Sequence, residues 1–134
     1  MDAWVGMNEG NWTWFGGPEF RKYTKMDDLI DPGPSMTWVL LDEHPDSIND
    51  GFFVVDMIGY DNPTQATMPD CPASYHNGAC GFAFADGHSE IHAWLDPRTK
   101  PPIKRTVYSA VNQANSKDVL WLWDHTTRRY SGQQ

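Results

Sequence analysis

The sequence predicts an α+β domain built on a small antiparallel β-sheet, with much of the chain in loops. The chain has 134 residues, 40% of them hydrophobic, a size that allows one core and hardly two. Ten prolines and eleven glycines interrupt helical patterns, and seven tryptophans supply a small aromatic core. Short β-prone runs between turn-forming residues are the third observation that favours a sheet.

We expect a single domain in three successive parts. Residues 1–35 form a loop region rich in aromatic residues, because closely spaced glycines and prolines cannot sustain a long helix. At most a short helix lies within residues 26–30. Residues 36–96 carry the sheet core, and residues 97–134 are a C-terminal extension.

Two compact runs predict the first strands. Residues 36–41 and residues 51–57 are both rich in β-branched, aromatic and other apolar residues, and the polar residues 42–50 separate them. The simplest arrangement is a pair of adjacent antiparallel strands joined by a long polar loop. Residues 59–71 are rich in Pro, Asn, Asp and Thr, which indicates irregular surface structure.

A hairpin over residues 80–94 is the clearest local signal in the chain. Asp86-Gly87 accepts the positive φ angles of a type I′ turn, which pairs Ala85 with His88. Because side chains alternate between faces, this register predicts a core face and an open shelf. The core face would hold Cys80, Phe82, Phe84, Ser89, Ile91 and Ala93. The shelf would set Gly81, Ala83 and Ala85 opposite His88, Glu90, His92 and Trp94.

The C-terminal extension has weaker signals. Residues 100–105 are a basic connection stiffened by two prolines, and residues 106–114 could form a short helix. The apolar residues 119–123 are too few to decide between helix and strand by periodicity.

Charge and cysteine content limit the possible partners. A net charge of -8 repels nucleic acid and anionic lipid, so neither is an expected partner. Cys71 and Cys80 are the only cysteines, and they either form a disulfide or leave Cys80 simply buried. No stretch reaches the roughly 18 apolar residues of a membrane span, and the first residues do not begin a signal peptide.

One motif resembles a known family. His76 is followed by nine residues and then Asp86-Gly87, as in the C-terminal H-X9-DG domain of prepilin-type proteins, which are related to the major pseudopilins of type II secretion. The surrounding phrase from Phe84 to His88, the Pro34 to Trp38 segment and Asp42-Glu43 are also similar to those proteins and stand in the same order. The resemblance covers roughly residues 30–125.

The resemblance implies a pseudopilin-type antiparallel sheet, which in those proteins packs on a long N-terminal helix. That helix, with its leader, is not in this sequence, so residue 1 is expected to fall after it. The sheet face would then be covered by the aromatic N-terminal loop, by a second copy, or left as an apolar patch. The implied function is a soluble, non-enzymatic, extracytoplasmic module of a type II secretion or type IV pilus-like system. Its expected partners are similar subunits or itself, without membrane contact by this segment.

Calcium is the expected ligand, because it prefers six to eight oxygen atoms on flexible loops. The polar loop offers such oxygens, although without EF-hand spacing, and the alternative is a solvated connection between strands that binds no metal. The oxygens would come from Asp42, Glu43, Asp46, Asn49 and Asp50. Major pseudopilins also bind calcium in a C-terminal loop, which Asn115 to Asp118 loosely resembles, so the resemblance adds Asp118 and, more weakly, Asn115. A transition metal could instead use His88 with Glu90 or with His76.

The alternative function is a metal-dependent hydrolase, since a cation, a water and a base need no signature motif. Its catalytic residues would be His76, Asp86 and His88, acting on an ester, lactone or glycan. The same residues could instead have only structural roles. Asp86-Gly87 would then form a turn, and a hydrogen-bonded His76 would hold the loop between Cys71 and Cys80. Exposed Trp12 and Trp14 could stack on sugar rings, although tryptophans more often pack in cores.

Overall fold

A computed structural model describes residues 1–5 and 15–130 of the chain. The predicted α+β class is confirmed, because two antiparallel sheets and an α-helix are connected by long irregular segments. No helix in the described part of the chain is long and apolar enough to cross a membrane. The elements are β1 (Trp38–Leu41), β2 (Thr67–Met68), β3 (Ala79–Phe84), β4 (Ser89–Ala93), β5 (Val111–Asn112) and α1 (Lys117–Thr126). Short 3-10 turns lie at Gly17–Glu19, Met26–Asp28, Pro63–Gln65 and Pro97–Thr99.

The main sheet has the strand order β1-β3-β4, and both pairings are antiparallel. The predicted pairing of residues 36–41 with residues 51–57 is therefore wrong. The N-terminal residues lie along the edge of β1 that faces away from β3, where the Asp2 backbone N–H donates to the Val39 carbonyl at 3.0 Å. Asp2 also forms an isolated parallel β-bridge with Phe53, and residues 51–57 are otherwise not part of a β-strand. Within that segment the buried apolar side chains still alternate, and the polar Asp56 is buried between the last two of them: Phe53, Val55 and Met57.

The β3–β4 hairpin is confirmed as an element, but its register differs by one residue from the prediction. Phe82 lies opposite Glu90, and the Phe84 N–H donates to the His88 carbonyl at 2.9 Å. The turn thus has three residues, 85–87, in place of two. Gly87 has a φ of +92°, whereas Asp86 is not among the positive-φ residues, so the type I′ turn, which needs two, does not form.

The one-residue shift exchanges the faces of β4 relative to β3. His88, Glu90 and His92 lie opposite the large side chains of β3, and the predicted shelf of small residues beside them is absent. Ser89, Ile91 and Ala93, which were predicted in the core, are exposed. They lie instead opposite small residues of β3: Ala79, Gly81 and Ala83.

The C-terminal helix lies later in the chain than predicted. Residues 106–114 are not helical, because the Asp46 carboxylate accepts the Lys104 and Arg105 backbone N–H groups and the Asp46 carbonyl accepts that of Tyr108. These bonds hold an irregular segment with a bend at residues 105–106, where Arg105 has a φ of +58°. Further on, β5 pairs with β2. The ambiguous run 119–123 belongs to α1, whose N-cap Ser116 accepts the Val119 N–H at 3.4 Å.

Buried indoles organise the core. Trp38 is fully buried and contacts the Phe53 and Phe82 rings edge-on, with centroids 5.8 and 6.0 Å away. Among the described residues, four tryptophans are buried, and each donates its indole N–H to an acceptor, which offsets the cost of burying a polar group. The acceptors are Val55 O for Trp4, Thr126 Oγ1 for Trp38, Ala73 O for Trp94 and Asp56 O for Trp123.

Both cysteines are buried free thiols, so the predicted disulfide is not formed in this structure. The alternative that Cys80 is a buried residue is confirmed, with its Sγ 3.3 Å from the Asp42 carbonyl. Burial raises the pKa of each thiol to about 12, which keeps both protonated and unreactive at neutral pH.

Candidate functional site

The sheet has two unlike faces, which we name the aromatic face and the open face. The aromatic face carries the even-numbered side chains of β3 and β4 and packs against α1. Phe82 is its centre, because its ring lies 5.0 Å from that of Trp121 on α1 and 5.9 Å from that of Trp94. This contact holds the helix on the hairpin.

Two histidines sandwich the Trp121 indole. Their ring centres lie 3.8 Å (His92) and 4.1 Å (His125) from the indole centre, both close to parallel with it. Two imidazoles on one side could not both come so close without overlapping, so they lie on opposite sides. Burial lowers the pKa of His92, and nearby His125 acts in the same direction, whereas Asp118 and Glu90 oppose them. His92 is thus held in its neutral form.

His88 occupies a different environment at the hairpin tip. Its ring stacks on Phe84 with centroids 4.4 Å apart, its Nδ1 contacts the Asp86 carboxylate, and its Nε2 lies 3.4 Å from Glu90. The hydrogen bond to Asp86 raises the pKa of His88 and lowers that of Asp86. The Asp86 carboxylate also accepts the His88 backbone N–H at 3.1 Å. The group therefore stabilises the turn that the sequence signal marks.

The three residues of the hydrolase hypothesis do not come together. Asp86 and His88 are in contact, but His76 lies before β3, where its Nε2 is 3.9 Å from Asp42. The tip and His76 lie beyond opposite ends of a six-residue strand, which spans about 17 Å at 3.3 Å per residue. The backbone N–H of His76 donates to the Ala79 carbonyl at 3.2 Å, a bond that does not involve the imidazole.

The open face is a shallow groove of about 850 Å³ across all three strands. Leu40 on β1 and Ile91 on β4 are 54% and 66% exposed and stand on either side of the small residues of β3. Asp42 lies at one end, since an added Cβ on Gly81 would be 3.6 Å from its carboxylate. The face is apolar in the middle and acidic at one end.

The predicted calcium ligands of the polar loop are distributed over separate contacts. Asp42 faces His76, whereas Glu43 accepts a hydrogen bond from Ser47 Oγ at 2.9 Å. Asp50 is exposed and accepts the Phe52 N–H. Within residues 1–5 and 15–130, no three His, Cys, Asp or Glu side chains are grouped so that they could hold a metal ion.

Glu43 is nevertheless electrostatically unusual. Burial raises its pKa to about 7, its bond from Ser47 opposes this, and the charges of Asp70 and Asp50 raise it further. Asp70 is itself buried, has a raised pKa and accepts the Val54 N–H at 2.7 Å. One of the predicted calcium ligands is therefore a carboxyl group with a pKa near neutrality.

Asp118 has a structural environment. It is 1% exposed, and its two oxygens accept the N–H groups of Leu95 and Asp96 and the hydroxyl of Thr99, at 2.7 to 3.0 Å. These bonds tie the first turn of α1 to the segment that follows β4. Asn115, the weaker candidate, precedes the helix with a φ of +59°.

Sequence reasoning did not identify Trp121 and His125 as parts of the site. The available signal was the capping residue Ser116, which marks the start of a helix and would place Trp121 and His125 one turn apart on one face. Trp12 and Trp14, proposed to stack on sugars, lie outside the described residues. No family model, curated protein or solved structure matched the chain.

Proposed function

We propose that this protein is a non-enzymatic, pseudopilin-like module of a type II secretion or type IV pilus-like system, located outside the cytoplasm. The observation that carries the proposal is the open face, an apolar surface that no residue of the described chain covers, on a sheet whose other face packs against α1. In the family that the His76 to Gly87 motif resembles, a long helix packs on the sheet.

The dimensions of the open face suit one helix. Three strands at about 4.8 Å spacing make a surface comparable to the roughly 10 Å diameter of an α-helix. Gly81 and Ala83 form a low centre, and the larger Leu40 and Ile91 form its two walls. Apolar helix side chains can therefore enter the groove, and Asp42 favours a basic residue at one end.

A direct test uses a synthetic helical peptide of about 18 residues, with Leu and Ala along one face and a lysine near one end. Titrated into labelled protein at low concentration, it should shift the NMR signals of Gly81, Ala83 and Ile91. Leu40→Glu should abolish the shifts. Leu120→Glu is the matched control, because Leu120 is 41% exposed on α1 and lies outside the groove. Absence of shifts, or equal shifts with a scrambled peptide, contradicts the docking role.

The cellular test replaces Leu40 by Glu in the host. We expect pilus assembly or protein secretion to fall while the protein remains present, and Leu120→Glu to leave both processes unchanged. Normal assembly and secretion with Leu40→Glu would contradict the proposal, because the exposed Leu40 is not needed for the core.

Calcium binding remains part of this proposal, supported by the acidity of residues 42–50 and by the raised pKa of Glu43. A cation beside Glu43 and Asp50 would relieve the repulsion between them. The geometry favours no second function, because His76 lies apart from Asp86 and His88.

A further inference from the structure

β4 is an edge strand with a free row of backbone groups. Phe84 and His88 form a hydrogen-bonded pair at the start of the ladder between β3 and β4. In an antiparallel ladder, hydrogen-bonded and non-hydrogen-bonded pairs alternate, so every second residue of β4 directs its backbone groups away from β3. The N–H and C=O groups of Ser89, Ile91 and Ala93 therefore point away from β3. No residue of the described chain bonds to them.

Nothing in the described structure protects this edge. Ser89, Ile91 and Ala93 are all exposed. The strand contains no lysine, proline or bulge, the features that usually prevent edge strands from pairing. β1, at the other edge, differs, because its register shifts between Trp38 and Leu40 and the Asp2 N–H is bonded to Val39.

We propose that β4 pairs antiparallel with β4 of a second copy of this chain, about a two-fold axis at Ile91. Ile91 then lies opposite the partner's Ile91, and Ser89 opposite the partner's Ala93. All five residues of β4 then lie opposite a residue of the partner strand. The outward N–H and C=O groups of Ser89, Ile91 and Ala93 form about six backbone hydrogen bonds between the copies. The two sheets become one sheet of six strands.

The charge of Glu90 and the free backbone groups select this register. With the axis at Ile91, Glu90 lies opposite the partner's His92, and this pair occurs twice. A shift by two in one direction places Glu90 opposite the partner's Glu90, which is repulsive. A shift by two in the other direction pairs Ser89 with the partner's Leu95, whose N–H already donates to the Asp118 carboxylate. In the selected register the unlike side chains meet at a non-hydrogen-bonded pair, where side chains are closest.

The pairing also extends the open face. Ile91 of each copy stands at the junction, so the two grooves become continuous across it. This inference rests on the strand edge and not on a helix in the groove, so its failure would leave the proposed function standing. We expect a weak dimer, because one strand pair buries a small area. Each copy also carries a net charge of -8, so the dimer needs physiological salt to screen the repulsion between copies.

Sedimentation velocity at 150 mM salt over about 10 µM to 1 mM protein tests the association in that weak range. We expect the mean sedimentation coefficient to rise with concentration. The amides of Ser89, Ile91 and Ala93 should become protected from hydrogen exchange at the high end only. A constant monomer value up to 1 mM overturns the proposal, as does association without protection of these amides.

Ile91→Pro removes an outward N–H that the monomer does not use, and edge strands accept proline at such positions. It should weaken the dimer by about tenfold or more, since two of its hydrogen bonds are lost. Ile91→Thr is the matched control, because it shortens the side chain and keeps the N–H. It should weaken the dimer much less. Equal weakening by both would overturn edge pairing in favour of contact through the groove.

Glu90→Lys provides a second variant at an exposed site that does not affect the core. It places lysine opposite the partner's His92 twice. At a pH low enough to protonate His92, the variant should therefore associate severalfold more weakly than the original chain, with an unchanged melting temperature at low concentration. Unaltered association would overturn the register.

Discussion

The aromatic face and the open face are formed by the same three strands but differ in almost every property. The aromatic face is closed by α1 and holds Phe82, which is 2% exposed, whereas the open face presents Ile91, which is 66% exposed. The two residues are only nine positions apart in one hairpin, but they lie on opposite faces of the sheet because successive side chains of a strand alternate between faces. Stability therefore belongs to one face, and the capacity to associate belongs to the other.

The largest expected effect comes from shortening one side chain on each face to alanine. Phe82→Ala should reduce the free energy of unfolding by about 3 to 5 kcal/mol, because it leaves a cavity between Trp38, Trp94 and Trp121. Ile91→Ala should change it by about 0.5 kcal/mol or less in the dilute monomer. Urea denaturation measures both. Similar losses in the two variants would contradict the division of roles.

The turn decides which β4 residues face α1, and Gly87→Val tests it. Gly87 has a φ of +92° with no atom within 4 Å of an added Cβ, so the cost comes from the backbone conformation. We expect a loss of about 1 to 3 kcal/mol in thermal or urea unfolding. Gly51→Val is the control, since Gly51 has open space and no positive φ. An unchanged stability for Gly87→Val would contradict the turn.

The pKa values of His92 and His88 should lie on opposite sides of the ordinary value of 6.5. In an NMR titration His92 is expected below it, because of burial, and His88 above it, because of its bond to Asp86. The unfolded chain binds more protons at His92, so stability from neutral His92 is present above pH 6.5 and is lost as pH falls. For His88 the sign is reversed: its contribution is present below pH 6.5 and is lost as pH rises. Coincident titrations would contradict the two environments.

The smallest expected effect is that of calcium next to the acidic end of the open face. At a calcium concentration equal to Kd, binding to the native state adds about 0.4 kcal/mol, a rise in Tm of a few degrees at most. Asp42→Ala or Asp50→Ala should remove the rise. Asp118→Ala should destabilise equally with and without calcium, since it loses three hydrogen bonds. A flat calorimetric titration of chelator-treated protein contradicts calcium binding.

Sequence signals that act over a few residues were interpreted correctly. The β-prone run 36–41 contains β1, Asp86-Gly87 lies in a hairpin turn, and Cys80 is buried. These features depend on local propensity and alternation, which neighbouring residues determine. The type of turn was not predicted, because both two- and three-residue turns accept an Asp-Gly pair and differ only in which residue has a positive φ.

Three expectations failed where a distant partner decides the outcome. Residues 51–57 lie beside residue 2 and not beside β1, and residues 104–108 are held in a non-helical bend by Asp46. Cys71 and Cys80 are free thiols, although their separation in sequence permits a disulfide. In the first two cases the deciding contact comes from a residue about 50 to 60 positions away, and periodicity carries no information on such contacts.

By itself, the sequence determined an α+β chain with an aromatic core, a hairpin ending in Asp86-Gly87 and an acidic surface. Only the tertiary structure decided which face of β4 is buried, because a single residue in the turn exchanges the two faces. It also brought Trp121 between His92 and His125, which are 33 positions apart in the sequence. Contacts of that separation form when α1 closes over the sheet, since burial of the Phe82 and Trp121 rings favours that arrangement over any local alternative.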